Sequence, residues 1–290
     1  WKTLQRCRPK TLETTLVKLS TDVTNARTLD MLRTAMGPVI TEALDDPDVI
    51  EIMVNPDGRL WLDKLGQGRF DTNSRLEPDE AERVVRLVAS HIHQDVTAFS
   101  PIVSAELPGN GERFEGVIPP VVTAPCFSIR KGAVSVFSLG DYVDAQTMTA
   151  VQAEALRYAV SSRQNILIVG GTSSGKTTLA NALLAEVSGT GDRVLILEDT
   201  RELQCKAEDT VALRTHGQNV KLSDLVRSTL RLRPDRIIVG EVRGPEALDM
   251  LKAWNTGHPG GIATVHANSA KAGLSRIEQL ILEGARTVPR

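Results

Sequence analysis

An apolar run, Ile166–Val169, leads into Gly170-Gly171-Thr172-Ser173-Ser174-Gly175-Lys176-Thr177, and Leu179, Ala182, Leu183 and Val187 follow at helical spacing. Every position of G-x-x-x-x-G-K-[ST] is met, and the motif stands where it must, between a strand and a helix. No other stretch constrains the fold as tightly. It demands a strand that stops and a loop of small residues whose N–H groups curl round an anion. It also demands a helix whose N-terminus faces that anion with partial positive charge. The chemistry expected of it is binding of ATP with Mg²⁺. Gly170, Gly171, Thr172, Ser173, Ser174, Gly175 and Thr178 would wrap the phosphates, Lys176 would reach the β- and γ-phosphates, and the Thr177 hydroxyl would ligate the metal.

Around this run, residues 148–290 alternate helices and apolar strands. Helices are expected at 148–162, 176–187, 222–232 and 245–255, and from about residue 270 onward. Strands are expected at Asn165–Val169, Val194–Leu197, Ile237–Val239 and Gly261–Val265. Continuous apolar strands between helices predict an α/β domain with a mostly parallel sheet covered on both faces.

Residues 29–135 read differently. Leu29, Leu32, Met36, Val39, Ile40 and Leu44 recur every three or four residues, with Pro38 marking a kink or a late start. Strands at 49–54 and 60–62 flank the turn Asn55-Pro56-Asp57-Gly58, and a helix is expected over Pro78–Ile92. A hairpin turns at Pro108-Gly109-Asn110-Gly111, and Phe127–Lys131 is a further strand. Together they predict a smaller α+β N-terminal domain with an antiparallel sheet. Residues 136–147 fit neither pattern and are expected to be the linker. Residues 1–28, with little periodicity and no initiator Met, are expected to be a tail.

Composition narrows the function. With 41% hydrophobic and 24% charged residues, the chain has material for a core and is not disordered throughout. A net charge of −2 argues against a protein whose main task is gripping nucleic acid, so direct DNA binding is not indicated. Cys7, Cys126 and Cys205 are far apart and form no CxxC pair, which suggests neither a zinc site nor a disulfide framework. A reducing cytoplasmic setting fits them. No apolar run approaches the ~20 residues that span a bilayer, so work at a membrane would be peripheral or through partners.

Hydrolysis needs a group that orients or deprotonates water, and open α/β sheets place such groups at strand ends. The strand in Arg236–Glu241 ends in Gly240-Glu241, which makes Glu241 the general base or water-orienting residue. Gly240 stands where the usual pattern has a Mg²⁺-facing Asp. The strand Val194–Leu197 delivers Glu198 and Asp199 to the same edge. One of them is expected to fill the place left at Gly240, Asp199 through a water to the metal, unless Asp199 and Thr200 cap a turn. His266 ends another strand, where it is either a γ-phosphate contact or a packing residue. Arg227, Arg231 and Arg233 read as a solvated face. Arg113 and Arg130 lie on strands of the first domain.

Taken together, Arg113, Arg130, GGTSSGKTT (170–178), LEDTREL (197–203), RIIVGEVRG (236–244), GHPGG (257–261) and TVHANS (264–269) resemble the traffic-type secretion ATPases. That family serves type IV secretion, conjugal transfer, type II secretion and pilus machines. The resemblance implies a homo-hexameric ring of chains with a RecA-like C-terminal domain and a PAS-like N-terminal domain. It implies Arg113 and Arg130 as phosphate contacts that couple hydrolysis to domain motion, Glu241 as the Walker B carboxylate, and catalytic roles for Glu198 and His266. It further implies inner-membrane channel proteins as partners, reached from the cytoplasm. The type II and pilus relatives often carry a tetracysteine zinc module. Its absence favours the type IV secretion and conjugation branch, with a type II or pilus motor as the alternative. Relatives continue past the position of Arg290, so a truncated C-terminus is expected. A GTPase would need an N-K-x-D motif, which is absent. A slow nucleotide-sensing scaffold is opposed by intact Lys176, Thr177 and Glu241.

Overall fold

The computed structural model describes residues 10–132, 136–172, 174–217 and 219–286, with side chains from residue 27 to 284 within those ranges. The chain divides into two compact units, Trp1–Val134 and Ser135–Arg290.

In the first unit, α1 (Lys10–Asp45) is broken at Gly37, whose φ of 77° and ψ of 174° are non-helical. Pro38 follows, as it lacks the N–H that a continuing helix would use. Helical backbone therefore begins inside the stretch expected to be a tail, of which residues 1–9 lie outside the described residues. Leu32, Met36, Ile40 and Leu44 are buried, but Val39 is 36% exposed, because the break at Gly37 resets the phase of the stripe. Next come β1 (Val49–Val54), β2 (Arg59–Lys64), β3 (Gly68–Arg75), α2 (Pro78–His91), β4 (Ile102–Glu106), β5 (Arg113–Val117) and β6 (Cys126–Arg130). They form one antiparallel sheet in the order β3-β2-β1-β6-β5-β4. Ile52, Leu60, Phe114, Phe127 and Ile129 face a core closed by α1 and by Val84, Val85 and Val88 of α2. β3 has no sequence signal: Phe70 is its only large apolar residue, as edge strands permit. On the face away from the core, Glu106, Arg113, Arg130 and Glu51 are register partners in one row across four strands.

The second unit runs α3 (Leu139–Asp144), α4 (Ala150–Ser161), β7 (Ile166–Gly170), α5 (Lys176–Val187), β8 (Val194–Glu198), β9 (Thr210–Arg214), α6 (Leu222–Thr229), β10 (Arg236–Val242), α7 (Glu246–Asn255), β11 (Ile262–His266) and α8 (Ala270–Arg286). α3 falls within the expected linker. Ser138 caps it by accepting the Asp141 N–H, and Leu139 is fully buried with Ala153, Leu183 and Ile196, so this stretch folds as part of the second unit. The sheet order is β7-β11-β10-β8-β9 with every pair parallel. Ile168, Ile196, Ile238 and Ile262 line one face; Leu197, Ile237, Val239, Ala263 and Val265 line the other. Apolar residues on both faces are what a sheet covered by helices on each side requires. Because all five strands run the same way, their carboxyl ends share one edge.

That geometry separates GHPGG from the chemistry. Gly257–Gly261 precedes β11 and so lies at the opposite edge of the sheet, about 15 Å from His266 at the usual strand rise. There His258 Nδ1 lies 2.8 Å from the Pro234 carbonyl. Among the described residues, no helix is long and apolar enough to cross a membrane.

Candidate active site

β7 ends at Gly170, whose register partner is His266 at the end of β11. The chain then turns through the small-residue loop into α5. Gly175 is the helix N-cap at φ 87°, a left-handed conformation that glycine adopts without strain, and no side chain caps the helix. Gly175 has no side chain with which to cap α5, and the start of the helix faces the loop, as an anion site requires. A β-carbon at Gly170 would run into the Ser174 side chain. Lys176 Nζ donates to the Gly171 carbonyl at 2.7 Å and lies 3.4 Å from each ring nitrogen of His266. Ser173 lies outside the described residues. Thr178 follows Thr177 in the first turn of α5.

Glu241 is aimed by a local irregularity. The β10–β11 register shifts between Val239 and Val242, and such bulges re-aim a side chain. Thr264 Oγ1 pins the bulge by donating to the Gly240 carbonyl at 2.6 Å. His266 Nε2 lies 2.7 Å from Glu241 Oε1 but makes no hydrogen bond to it, so that buried oxygen keeps its lone pairs for another donor. Glu241 Oε2 accepts from Arg243 Nη2.

Gly240 has a steric explanation. A β-carbon there would lie 2.9 Å from Glu198 Cγ, so the missing side chain is the space that Glu198 occupies. Glu198 is 5% exposed, and its Oε1 accepts the N–H groups of Glu202 and Leu203 at 2.9 and 2.8 Å. Burial pushes its carboxyl up to about 7, against the two N–H bonds that favour the ionised form. A carboxyl raised on folding contributes stability that is complete below its unfolded value and is lost as pH rises toward 7. Glu198→Gln is therefore expected to raise the stability of the nucleotide-free protein by roughly 1–3 kcal/mol at pH 8 and to change it little at pH 4. Thermal melts at the two pH values check this; an equal gain at both would show that ionisation is not the cause.

The carboxylate in contact with Thr177 is one that the strand-end argument passed over. Thr177 Oγ1 donates to Glu202 Oε2 at 3.1 Å. Asp199, expected near the metal through a water, instead accepts from Thr215 Oγ1 at 3.1 Å and lies 3.8 Å from Arg243. Asn181, 1% exposed on α5, ties the Glu202 segment down: its Nδ2 donates to the Glu202 carbonyl and its Oδ1 accepts the Gln204 N–H. Glu202 and Arg243 both sit inside the charged runs 197–203 and 236–244. Their signal was present, but nothing in spacing alone separates them from their charged neighbours. Arg227 pairs with Asp249 at 3.0 Å on the helical layer. Arg113 and Arg130 belong to the first unit, directly opposite each other on β5 and β6.

The residues fit a nucleotide-borne metal. Among the described residues no group of three or more His, Cys, Asp or Glu is arranged to hold an ion by itself. Mg²⁺ carried by phosphates needs only one or two protein groups, and Thr177 with Glu202 supplies a hydroxyl and a carboxylate beside the loop.

Comparison with known proteins agrees. Residues 34–286 match the family described as "Type II/IV secretion system protein". The chain is 50% identical over 262 residues to the conjugal transfer protein TrbB of Rhizobium radiobacter, covering 90% of this chain and 80% of that one. It is 32% identical to the type IV secretion system protein VirB11 of Bartonella henselae, covering 88% and 82%. The solved structure of the Legionella pneumophila ATPase DotB superposes with a TM-score of 0.59 at 21% identity, over 83% of this chain and 68% of that one, a likeness of fold. The chain belongs to the type II/IV secretion system protein family and is related to the conjugal transfer TrbB proteins.

Proposed function

We propose that the second unit hydrolyses ATP with Mg²⁺ at the carboxyl edge of its parallel sheet, and that turnover powers assembly of a type IV secretion or conjugal transfer apparatus, or passage of its substrate. The observation that carries this reading is the meeting of Glu241 and His266, from the ends of β10 and β11, with Lys176 at the start of α5, next to Thr177.

The loop amides and Lys176 hold the β- and γ-phosphates. Thr177, with Glu202 behind it, would be the protein's contact to the metal, and Glu198 and Asp199 are proposed to act from the same strand end, Asp199 through a water. Bound Mg²⁺ supplies neutralisation of phosphate charge. Glu241 orients a water in line with the γ-phosphorus and accepts its proton as the new P–O bond forms and the bond to the bridging oxygen breaks. His266, between Lys176 and Glu241, relays the presence of the γ-phosphate to the base. Arg113 and Arg130 are proposed as further phosphate contacts. They stand directly opposite each other on β5 and β6, and a phosphate is a ligand that two adjacent guanidinium groups suit.

Beyond the site, we propose a RecA-like fold for the second unit, a PAS-like fold for the first, assembly as a homo-hexamer, and work at the cytoplasmic face of the inner membrane beside channel proteins. Lys176→Ala tests the site. It is expected to abolish turnover and to weaken ATP binding at least tenfold, about 1.4 kcal/mol or more; hydrolysis at the wild-type rate would remove the loop from the mechanism.

A further inference from the structure

Arg243 lies among the carboxylates of this edge, bonded to Glu241 and 3.8 Å from Asp199, and neither the phosphate contacts nor the metal contacts use it. We propose that Arg243 is a positioning residue: its guanidinium fixes the Glu241 carboxylate in the orientation from which it accepts the proton of the attacking water. The inference rests on the assignment of Glu241 given above.

The geometry carries it in three steps. Arg243 follows directly on the end of β10, two residues after Glu241, close enough for its guanidinium to reach back to that carboxylate. Arg243 Nη2 donates to Glu241 Oε2, while His266 stands 2.7 Å from Oε1 without a hydrogen bond. The guanidinium therefore makes the hydrogen bond that sets the plane of the carboxylate, with the buried Oε1 turned toward the His266 ring. Second, the guanidinium is itself held. Its Nη1 lies 3.8 Å from Asp199, and its charge is favoured first by the Glu241 bond and then, against burial, by the charges of Glu241, Asp199 and Glu202. Third, the backbone at this point is anchored independently of the side chain. The N–H groups of Arg243 and Gly244 both donate to Glu246 Oε1, at 2.6 and 2.7 Å, and Glu246 is buried in the first turn of α7. Removing the guanidinium frees the Glu241 carboxylate to rotate without moving the chain that carries it. A base oriented by a third group is a recurrent catalytic arrangement. An ordinary surface ion pair would have both partners in solvent, whereas the Glu241 side chain is 19% exposed and Arg243 54%.

The test is steady-state hydrolysis and ATP binding on the full chain, comparing wild type with Arg243→Gln, Arg243→Lys, Glu241→Gln and the Arg243→Gln/Glu241→Gln double variant. Arg243→Gln is expected to lower kcat roughly 10- to 100-fold. KM, ATP affinity and melting temperature should stay near wild type, since the lost interaction belongs to the transition state. Arg243→Lys, which keeps the charge but loses the planar fork, should fall between. In the Glu241→Gln background, Arg243→Gln should cost nothing further, because the group it positions has lost its function. Unchanged kcat, an effect on KM alone, or a full additional loss in the double variant would overturn the proposal. Absence of turnover in the wild type would instead overturn the reading of the site.

Discussion

Replacing Glu241 with Gln is expected to leave ATP binding nearly intact and to lower kcat by roughly 10²- to 10⁴-fold. The substitution keeps shape and volume, and the amide oxygen can still accept from Arg243. What disappears is the charge and with it the capacity to take a proton. The phosphates are held elsewhere, by the loop, Lys176 and the start of α5, so affinity should survive. A parallel measurement of ATP affinity and single-turnover hydrolysis separates the two properties. Loss of affinity together with turnover would mean that Glu241 holds His266 and Lys176 in place instead of acting on water, because Lys176 Nζ is within 3.4 Å of the ring that Glu241 contacts.

Much of this edge was legible because strand-to-helix transitions leave strong marks. Ile166–Val169 followed by glycines and Lys176-Thr177 marks the end of β7, and Arg236–Val239 before Gly240-Glu241 marks β10. What escaped was set by three-dimensional neighbours. Glu202 lies after the end of β8 in irregular backbone, so no periodicity brings it to Thr177; the fold of that segment over Asn181 does. Gly240 reads as a missing ligand in sequence, and only the Glu198 side chain lying against it shows why glycine is required. GHPGG and TVHANS stand side by side in sequence, yet β11 runs between them and delivers them to opposite edges. β3 was invisible because an edge strand need not alternate apolar and polar residues, and β9, at an edge of the other sheet, is only five residues long.

The far edge of the same sheet should respond to mutation in stability and not in chemistry. Asp192→Asn is expected to destabilise the protein by about 3–5 kcal/mol, because it leaves the Arg236 guanidinium buried without its counter-charge. Arg236 is 1% exposed and Asp192 5%. Arg236 Nε donates to Asp192 Oδ2 at 2.6 Å, Nη2 to the Val160 carbonyl at 2.8 Å and Nη1 to the Gly260 carbonyl at 3.3 Å. Arg163 and Thr190 donate to the same carboxylate. Gly260, at φ 84°, is confined to glycine here, since a β-carbon would lie 2.7 Å from Arg236 Nη1. Burial pushes the Asp192 carboxyl up, but the Arg236 and Thr190 bonds and the two arginine charges outweigh it and hold the group below its ordinary range. A depressed carboxyl contributes stability that is present above its unfolded value and is lost as pH falls through the folded one. The penalty of Asp192→Asn should thus be full at neutral pH and shrink below about pH 4. Asp192→Leu combined with Arg236→Met removes both charges and should cost less than Asp192→Asn alone, since an apolar pair of similar volume replaces an ion pair whose desolvation was itself unfavourable. Urea denaturation of the three proteins checks this. A double variant at least as unstable as Asp192→Asn would mean that the network is held by the carbonyls of Val160 and Gly260 and not by the ion pair.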